Sequence, residues 1–432
     1  MSALTEYGVE LSVELGIGRQ ASAGVWDSSG WDSPVWGNPD TSLGDWVEVT
    51  CDTADPFTLA AGASEADGVV TRWEAATCSL RLVGEQWDPW SGPYAGVVGP
   101  MVPVRVRWRQ EGSSAWLSAF TGAVAADGWD FTPGKRPEVQ VSATDSTQVL
   151  AAYDPVEQPA SGAGDTAAER VGRILDLAGW PVQLRDVTAG GVTLKSSTMA
   201  DAIWTQLLQV ADTDLALLWV RRDGRLAFRP EGRVGVGNDL AARLVICPPD
   251  TPVPGVTSIP VVTIGGAQFS DIRNVVSVSR QKEEGGAEAA TVTVRDDASA
   301  ARYLRRSYSR TDLQHQSEEW SSTVANAILG SSAWPSRAPR GAELSSRLDE
   351  VSVPAMLLTL EPDMTFDVED TSGTLWREGC VGWRVTVGRH RIEGTVELVD
   401  MSKWVGAKWD AELWDSGRWS YAVTVPTQEE EK

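Results

Sequence analysis

Residues 9–17 read Val9-Glu10-Leu11-Ser12-Val13-Glu14-Leu15-Gly16-Ile17, with an apolar residue at every odd position and a polar or small one between. A period of two places Val9, Leu11, Val13, Leu15 and Ile17 on one face of a strand and Glu10, Ser12 and Glu14 on the other. A helix would scatter both sets around its axis. The alternation returns at residues 46–51, 76–82, 102–108 and 139–143, with Gly, Pro and Asp between the runs. Short alternating runs separated by turn residues describe a β domain of barrel type.

Further along, the period changes. Residues 158–165 have the composition of a linker. Behind them Val171, Ile174, Leu175 and Ala178 share one helical face, with Asp165 or Thr166 as N-cap, Gly179 as stop and Pro181 just beyond. A second helix is expected near 198–211, with Ile203, Leu207 and Val210 on one side. The apolar runs 215–220 and 225–228 flank Asp223-Gly224, a pair that favours a two-residue type I′ hairpin. A Pro- and Gly-rich stretch at 248–266 precedes strands at 275–278 and 290–295. A helix is expected over 317–329, with Glu318 and Glu319 suiting its N-terminal dipole and Gly330 and Pro335 ending it. From Val351 the pattern reads as β again, through 357–360, 381–387 and 392–399. The expected organisation is a β domain with a Trp-rich loop at 1–157, an α/β module at 158–235 and a second mixed insertion at 236–345. A C-terminal β domain at 346–403 and a Trp-Asp tail at 404–432 complete it.

Composition narrows the function classes. The 432 residues hold 60 acidic against 37 basic side chains, a formal charge of -23. Phosphate neutralisation needs clustered Lys and Arg, so a nucleic-acid binder is disfavoured. An acidic wall would instead let DNA pass without holding it. Cys51, Cys78, Cys247 and Cys380 are spaced too widely for a CxxC unit and are expected as buried free thiols. The first residues have neither a basic n-region nor an apolar h-region, so no signal peptide is expected. No apolar run approaches the ~20 residues of a membrane span.

Chemistry has few candidates. His315 and His390 are expected as exposed, structural residues, and no HExxH, GxSxG or GxxxxGK[ST] pattern occurs. Gly16-Ile17-Gly18-Arg19-Gln20-Ala21 matches a dinucleotide fingerprint but opens no helix and is rejected. No catalytic, cofactor-binding or metal-binding residue is assigned, and a non-enzyme is expected. The loudest signal is tryptophan, 21 residues in all. Trp26, Trp31 and Trp36 fall five apart near one end, and Trp404, Trp409, Trp414 and Trp419 near the other. Spacing by five suits neither a helix nor a strand, so short turns are expected, with Asp27, Asp32, Asp410 and Asp415 bonding forward to backbone N–H groups. These seven rings are the candidate partner-binding residues. Sugar platforms and packing over the barrel ends are the competing readings. A glycosidase pair among the acids, two carboxylates ~5–10 Å apart, is a third.

The order of several short stretches resembles minor tail proteins of the tail-hub, or baseplate-hub, type from long-tailed actinobacterial phages. They begin at Ala76-Thr77-Cys78-Ser79-Leu80-Arg81-Leu82, Trp87-Asp88-Pro89, Gly92-Pro93-Tyr94 and Pro103-Val104-Arg105-Val106. Phe120-Thr121-Gly122-Ala123-Val124, Ser142-Ala143-Thr144-Asp145, the 219–228 hairpin, Asn274-Val275-Val276 and the 317–335 segment come after them. The resemblance implies a mainly β fold with two tail-tube-like β-barrel domains and smaller inserted α/β domains. It further implies a homotrimer at the virion's tail tip, assembled in the host cytoplasm. Distal tail, tube, tape-measure and fibre or receptor-binding proteins would be its partners, with DNA passing through unbound.

Overall fold

A computed structural model describes residues 3–4, 8–17, 46–66, 71–155, 158–199, 201–230, 239–246, 256–265, 272–281, 290–336, 338–370 and 373–401. The opening strand forms as read: β1 (Val9–Leu15) buries Val9, Leu11, Val13 and Leu15. It is followed by β2 (Phe57–Ala66), β3 (Thr77–Val83), β4 (Pro103–Gln110), β5 (Leu117–Thr132) and β6 (Glu138–Thr144). These pair antiparallel in the order β1-β4-β5-β6-β3-β2. The polar face of β1 is not simply wet. The register sets Glu10 opposite Arg109, Ser12 opposite Arg107 and Glu14 opposite Arg105. Glu10 pairs with Arg109, and Glu14 with both Arg105 and Arg107. Trp46 stacks on Arg105 at 4.1 Å and Trp116 on Arg109 at 4.6 Å. Burial pushes the Glu14 carboxyl up, but bonds from Ser12, Arg107 and Arg105 outweigh it and hold the group below the usual range. The strand expected at 46–51 is confined to Val47–Glu48, because the Val49 carbonyl accepts from Asp52 and Thr53 N–H and turns the chain.

The chain then builds a small module from α1 (Ala167–Leu177), β7 (Arg185–Val187), α2 (Ile203–Asp214), β8 (Leu217–Val220) and β9 (Leu226–Arg229). Thr166 is the N-cap, in a reciprocal capping box with Glu169. Residues read as linker form a strand, Gln158–Ser161, against Ser197–Met199. Both faces of the β8–β9 hairpin are covered. Leu218, Leu226 and Phe228 pack on the helices, while Leu217, Trp219 and Ala227 pack on Trp73, Val381 and Val399. Double burial is why residues 215–220 are apolar without alternation.

Strands β10 (Asp239–Val245), β11 (Thr257–Pro260) and β12 (Thr263–Gly265) pair into the large sheet rather than into the mixed segment around them. A second module comes next: β13 (Val275–Arg280), β14 (Val292–Arg295), α3 (Asp297–Tyr303), β15 (Ser307–Leu313) and α4 (Glu318–Ser332). Val324 and Ile328 of α4 pack on Val276 and Val278. α4 runs through Gly330, whose interior cost of about 1 kcal/mol is small beside this packing.

The last elements are β16 (Gly341–Ser345), α5 (Ser352–Thr359), β17 (Thr365–Glu369), β18 (Leu375–Val387) and β19 (Ile392–Asp400). The strand expected at 357–360 is instead part of helix α5 and its C-cap. The stretch from Val353 to Leu358 is apolar throughout and carries no period to decide between the two. Ala355, Met356, Leu357 and Leu358 favour the helix, and Pro354 falls in the first turn, where its missing N–H is not needed. β18 unites the molecule. Its residues 375–379 pair with β17, and 382–387 pair with β2 of the first β unit. β19 lines its other side, with a register shift between Cys380 and Gly382. Gly382 faces Gly62 across the seam. The two β units therefore share one 16-stranded sheet and one apolar core. The fold is mainly β, with the smaller mixed modules set into it, as expected.

Leu59 is fully buried opposite Val385 at this seam. Leu59→Ala is expected to lower the unfolding free energy by about 2–5 kcal/mol. Thr58→Ala, one residue along on the other face, should cost less than about 1 kcal/mol. Urea unfolding followed by tryptophan fluorescence checks both.

Candidate functional site

The densest polar constellation lies where the β8–β9 hairpin enters the junction of the two β units. Its tip is not the expected two-residue type I′ turn. Gly224 N–H donates to Arg221 O at 2.8 Å and Arg221 N–H to Arg225 O at 2.8 Å, leaving Arg222, Asp223 and Gly224 in the loop. Only Gly224 has positive φ, 87°, as a three-residue turn with a glycine bulge requires. The additional residue is Arg222, and it points inward, 6% exposed. Its Nε donates to Leu360 O at 2.8 Å, Nη1 to Ala119 O at 3.0 Å and Nη2 to Leu357 O at 2.9 Å. The guanidinium lies 3.6 Å from the centre of the Trp383 ring. Its backbone N–H donates to Glu361 Oε1 at 3.0 Å, and Trp219 Nε1 donates to Glu361 Oε2 at 3.1 Å. Beside it Arg229 reaches Asp363 at 3.2 Å and Asp186 at 2.9 Å.

The titration of this cluster is set by burial. Desolvation pushes Arg222 down to about 10 and Glu361 up to about 7, each opposed by the charge of the other. Asp145 is pushed up to about 6 by burial, although Ala76 N–H at 2.7 Å and Thr147 N–H at 2.8 Å donate to its carboxylate. The cavity between these groups has a volume of ≈ 20 Å³. That leaves room for about one water and none for a sugar or peptide. The junction welds parts together.

The remaining candidates have structural surroundings. His315 is fully buried, not exposed. Its Nδ1 lies 2.6 Å from Ser317 O and its Nε2 3.2 Å from Ser321 Oγ, and burial holds it down at about 4, so it is neutral at pH 7. His390 is exposed as expected. Cys78 and Cys380 are buried thiols pushed up to about 12 by desolvation. Cys51 is exposed, because the chain turns where a strand was expected, and Cys247 lies outside the described residues. No cluster of three or more metal-binding side chains occurs among the described residues, and no described helix is long and apolar enough to cross a membrane.

The seven candidate rings, Trp26, Trp31, Trp36, Trp404, Trp409, Trp414 and Trp419, all lie outside the described residues. The described pair Trp87-Asp88 shows one form that such a dipeptide takes. Asp88 bonds forward to Trp90 N–H at 2.9 Å and to Ser91 Oγ at 2.5 Å, and these bonds hold its carboxyl below the usual range. Trp87 is buried and stacks on Tyr94 at 5.1 Å, while Trp90 stands 81% exposed on the braced loop.

Neither a family model nor a curated protein sequence matches the chain. Solved structures do. The tail protein from Neisseria meningitidis MC58 superposes with a TM-score of 0.58 at 12% identity, over 93% of this chain and 99% of the other. The chain shares its fold with phage tail proteins. The 43 kDa tail protein of prophage MuSo2 from Shewanella oneidensis gives a TM-score of 0.53 at 10% identity, over 91% of this chain and 99% of that one. A chain of the half-lidded Francisella PdpA-VgrG complex gives 0.50 at 8% identity, over 93% of this chain but 59% of its own length. At these identities the fold is what is shared.

Sequence reading missed Arg222 because two arginines before Asp-Gly look like a solvated turn. The usable signal was elsewhere: Glu361 and Asp363 come directly after an apolar helix, a place where acids imply a buried partner. Arg222→Ala, which strips three buried carbonyls of their donor and leaves Glu361 unopposed, should destabilise by about 3–5 kcal/mol. Glu361 gives a signed pH test. With its folded-state value raised from 4.5 to about 7, the native state binds the proton more tightly, so its contribution falls as pH rises from 4.5 to 7. Glu361→Gln should therefore gain on wild type across that window, on the order of 3 kcal/mol. A loss across the same window in paired urea titrations would show that Glu361 works as an ionised partner of Arg222.

Proposed function

We propose that the chain is a non-enzymatic structural protein of a phage tail, the hub that closes the tube at the tip and docks fibre or receptor-binding proteins. The observation that carries this reading is the end-to-end fold match to the N. meningitidis tail protein, which leaves almost none of either chain over. The architecture supports it. Two β units sharing a strand and a core make a stiff subunit, as a tube component under mechanical load requires. In a homotrimer, two tube-like units per subunit would give six around the axis, matching a six-fold tube above a three-fold tip. A net charge of -23 suits a lumen through which DNA passes without binding. Distal tail, tube and tape-measure proteins are the neighbours this position implies.

Imaging of assembled particles should find this chain on the tail axis in three copies. Six copies per ring, or a position off the axis, overturns the hub assignment. The Trp pentads at 26–36 and 404–419 are proposed as anchors for a common partner. Truncation after Val405 should leave the circular dichroism spectrum and urea midpoint unchanged while reducing incorporation into particles. Collapse of the purified protein would assign the tail to the core instead. A second reading, carbohydrate adsorption, is favoured by the exposure of Trp90 on its braced loop. Glycan-array binding lost in Trp90→Ala would support that reading over the first.

A further inference from the structure

One patch of the second module runs against the charge of the whole chain. From the last turn of α3 to the start of β15 the sequence is Arg302-Tyr303-Leu304-Arg305-Arg306, and every one of these except the half-buried Tyr303 is exposed. No carboxylate among the described residues pairs with Arg302, Arg305 or Arg306, although most other arginines of the modules have such partners. Leu304 stands 77% exposed at the centre. The Trp334 ring, 41% exposed, meets Tyr303 edge to face at 5.8 Å, and its indole N–H donates to Asp296 at 2.8 Å.

The loop is held in place. Leu304 has φ 64° and ψ 163°, a conformation that is essentially reserved to glycine. What enforces it is Asn274, fully buried beneath the loop. Asn274 Nδ2 donates to Leu304 O at 2.8 Å, and its Oδ1 accepts from Arg306 N–H at 2.8 Å. Asn274 N–H in turn donates to Arg306 O at 3.0 Å. A rigid loop carrying an apolar tip, two aromatic rings and a collar of arginines has the composition of an interface core, in which Arg and aromatics are enriched. Its backbone is already ordered, so docking loses little entropy.

We propose that this loop is an assembly surface that seats against an acidic face of a second copy of the same chain. Charge complementarity selects that occupant: each copy carries -23 overall, so a neighbouring copy offers carboxylates in abundance. The same charge rejects DNA as a partner, and a leucine at the centre of the arginine collar fits an apolar socket better than a phosphate backbone. The patch cannot be self-complementary, because a two-fold contact would set arginine against arginine. In the homotrimer proposed above the contact is heterologous, head to tail, and closes a ring of three subunits instead of a two-fold dimer. This deepens the homo-oligomer within the proposed function. It is tested on purified protein, so that its failure is separable from the failure of the tail position, which particle imaging reads.

The full-length protein is compared by sedimentation velocity with three variants at low and at high salt. Leu304→Gly suits the positive φ, so it removes the side chain without disturbing the fold. It should raise the dissociation constant of the ring at least tenfold. The triple change Arg302→Glu, Arg305→Glu and Arg306→Glu should abolish the ring at low salt. Lys135→Glu with Arg136→Glu, an exposed charge reversal elsewhere, should leave it intact. Wild-type assembly should weaken as salt is raised from ~0.05 to ~0.5 M, because screening shortens the reach of the arginine collar. A monomeric wild type, a two-fold dimer, or rings indifferent to Leu304→Gly and to the triple change each overturn the proposal. So does wild-type binding to a fluorescent 30-mer duplex that the triple change removes while the protein stays monomeric.

Discussion

The guanidinium of Arg222 is the contact on which the placement of the modules depends. A buried cation loses several kcal/mol of hydration, and it is tolerated only when its donors and its charge are all answered. Here the answers come from separate elements. Leu357 O and Leu360 O belong to the C-terminal end of α5, Ala119 O to β5, the Trp383 face to β18 and Glu361 to the loop before β17. No one of these positions can shift without leaving a buried donor or acceptor unmatched. A lysine could not substitute, since three carbonyls on three sides call for the planar fork of an arginine. The hairpin tip thus fixes the first β unit, the second β unit and the small module relative to one another.

That placement rests on a sheet that changes partners within one strand. β18 bonds to β17 along its first residues and to β2 along its last, and the register shift at Cys380–Gly382 marks the switch. A Cβ at Gly382 would stand 2.7 Å from Glu397 Oε2, so a larger residue there would displace the Glu397 side chain. With α5 seated beneath, the two β units have a common apolar interior. A subunit of this kind transmits load through backbone hydrogen bonds instead of through a flexible linker. The small modules leave this path untouched, because their strands pair in sheets of their own.

Much of this frame was legible in the residues. Alternation found β1, β3, β4 and β6, because each has one face in the core and one facing charged or polar neighbours. Capping chemistry found α1 through Thr166 and Glu169. The failures share a cause. Residues 353–358 are apolar throughout, so this stretch carries no period, and only packing decides helix from strand. Arg222 was missed because a charged residue in a turn is ordinarily solvated, and its burial depends on carbonyls more than a hundred residues away. The ion pairs of the β4 arginines likewise appear only once the register with β1 is known. Local rules recover elements. Long-range complementarity, which decides the site, leaves no local trace.

The Trp-Asp pairs show how far a motif reaches without its context. At Trp87-Asp88 the carboxylate bonds forward and braces a turn that presents Trp90. At Trp129-Asp130 the same dipeptide lies inside β5, with Asp130 paired across the sheet to Gln140 and no turn at all. The residues on the C-terminal side of each pair make the difference. Pro89, Trp90, Ser91 and Gly92 favour turning, whereas Phe131 and Thr132 favour extension. By that criterion Asp27, Asp32 and Asp415, followed by Ser28-Ser29-Gly30, Ser33-Pro34 and Ser416-Gly417, favour turning, whereas Asp410, followed by Ala411-Glu412-Leu413, does not. Equal spacing therefore does not make every pair a turn, and the residues between the rings carry as much of the argument as the rings themselves.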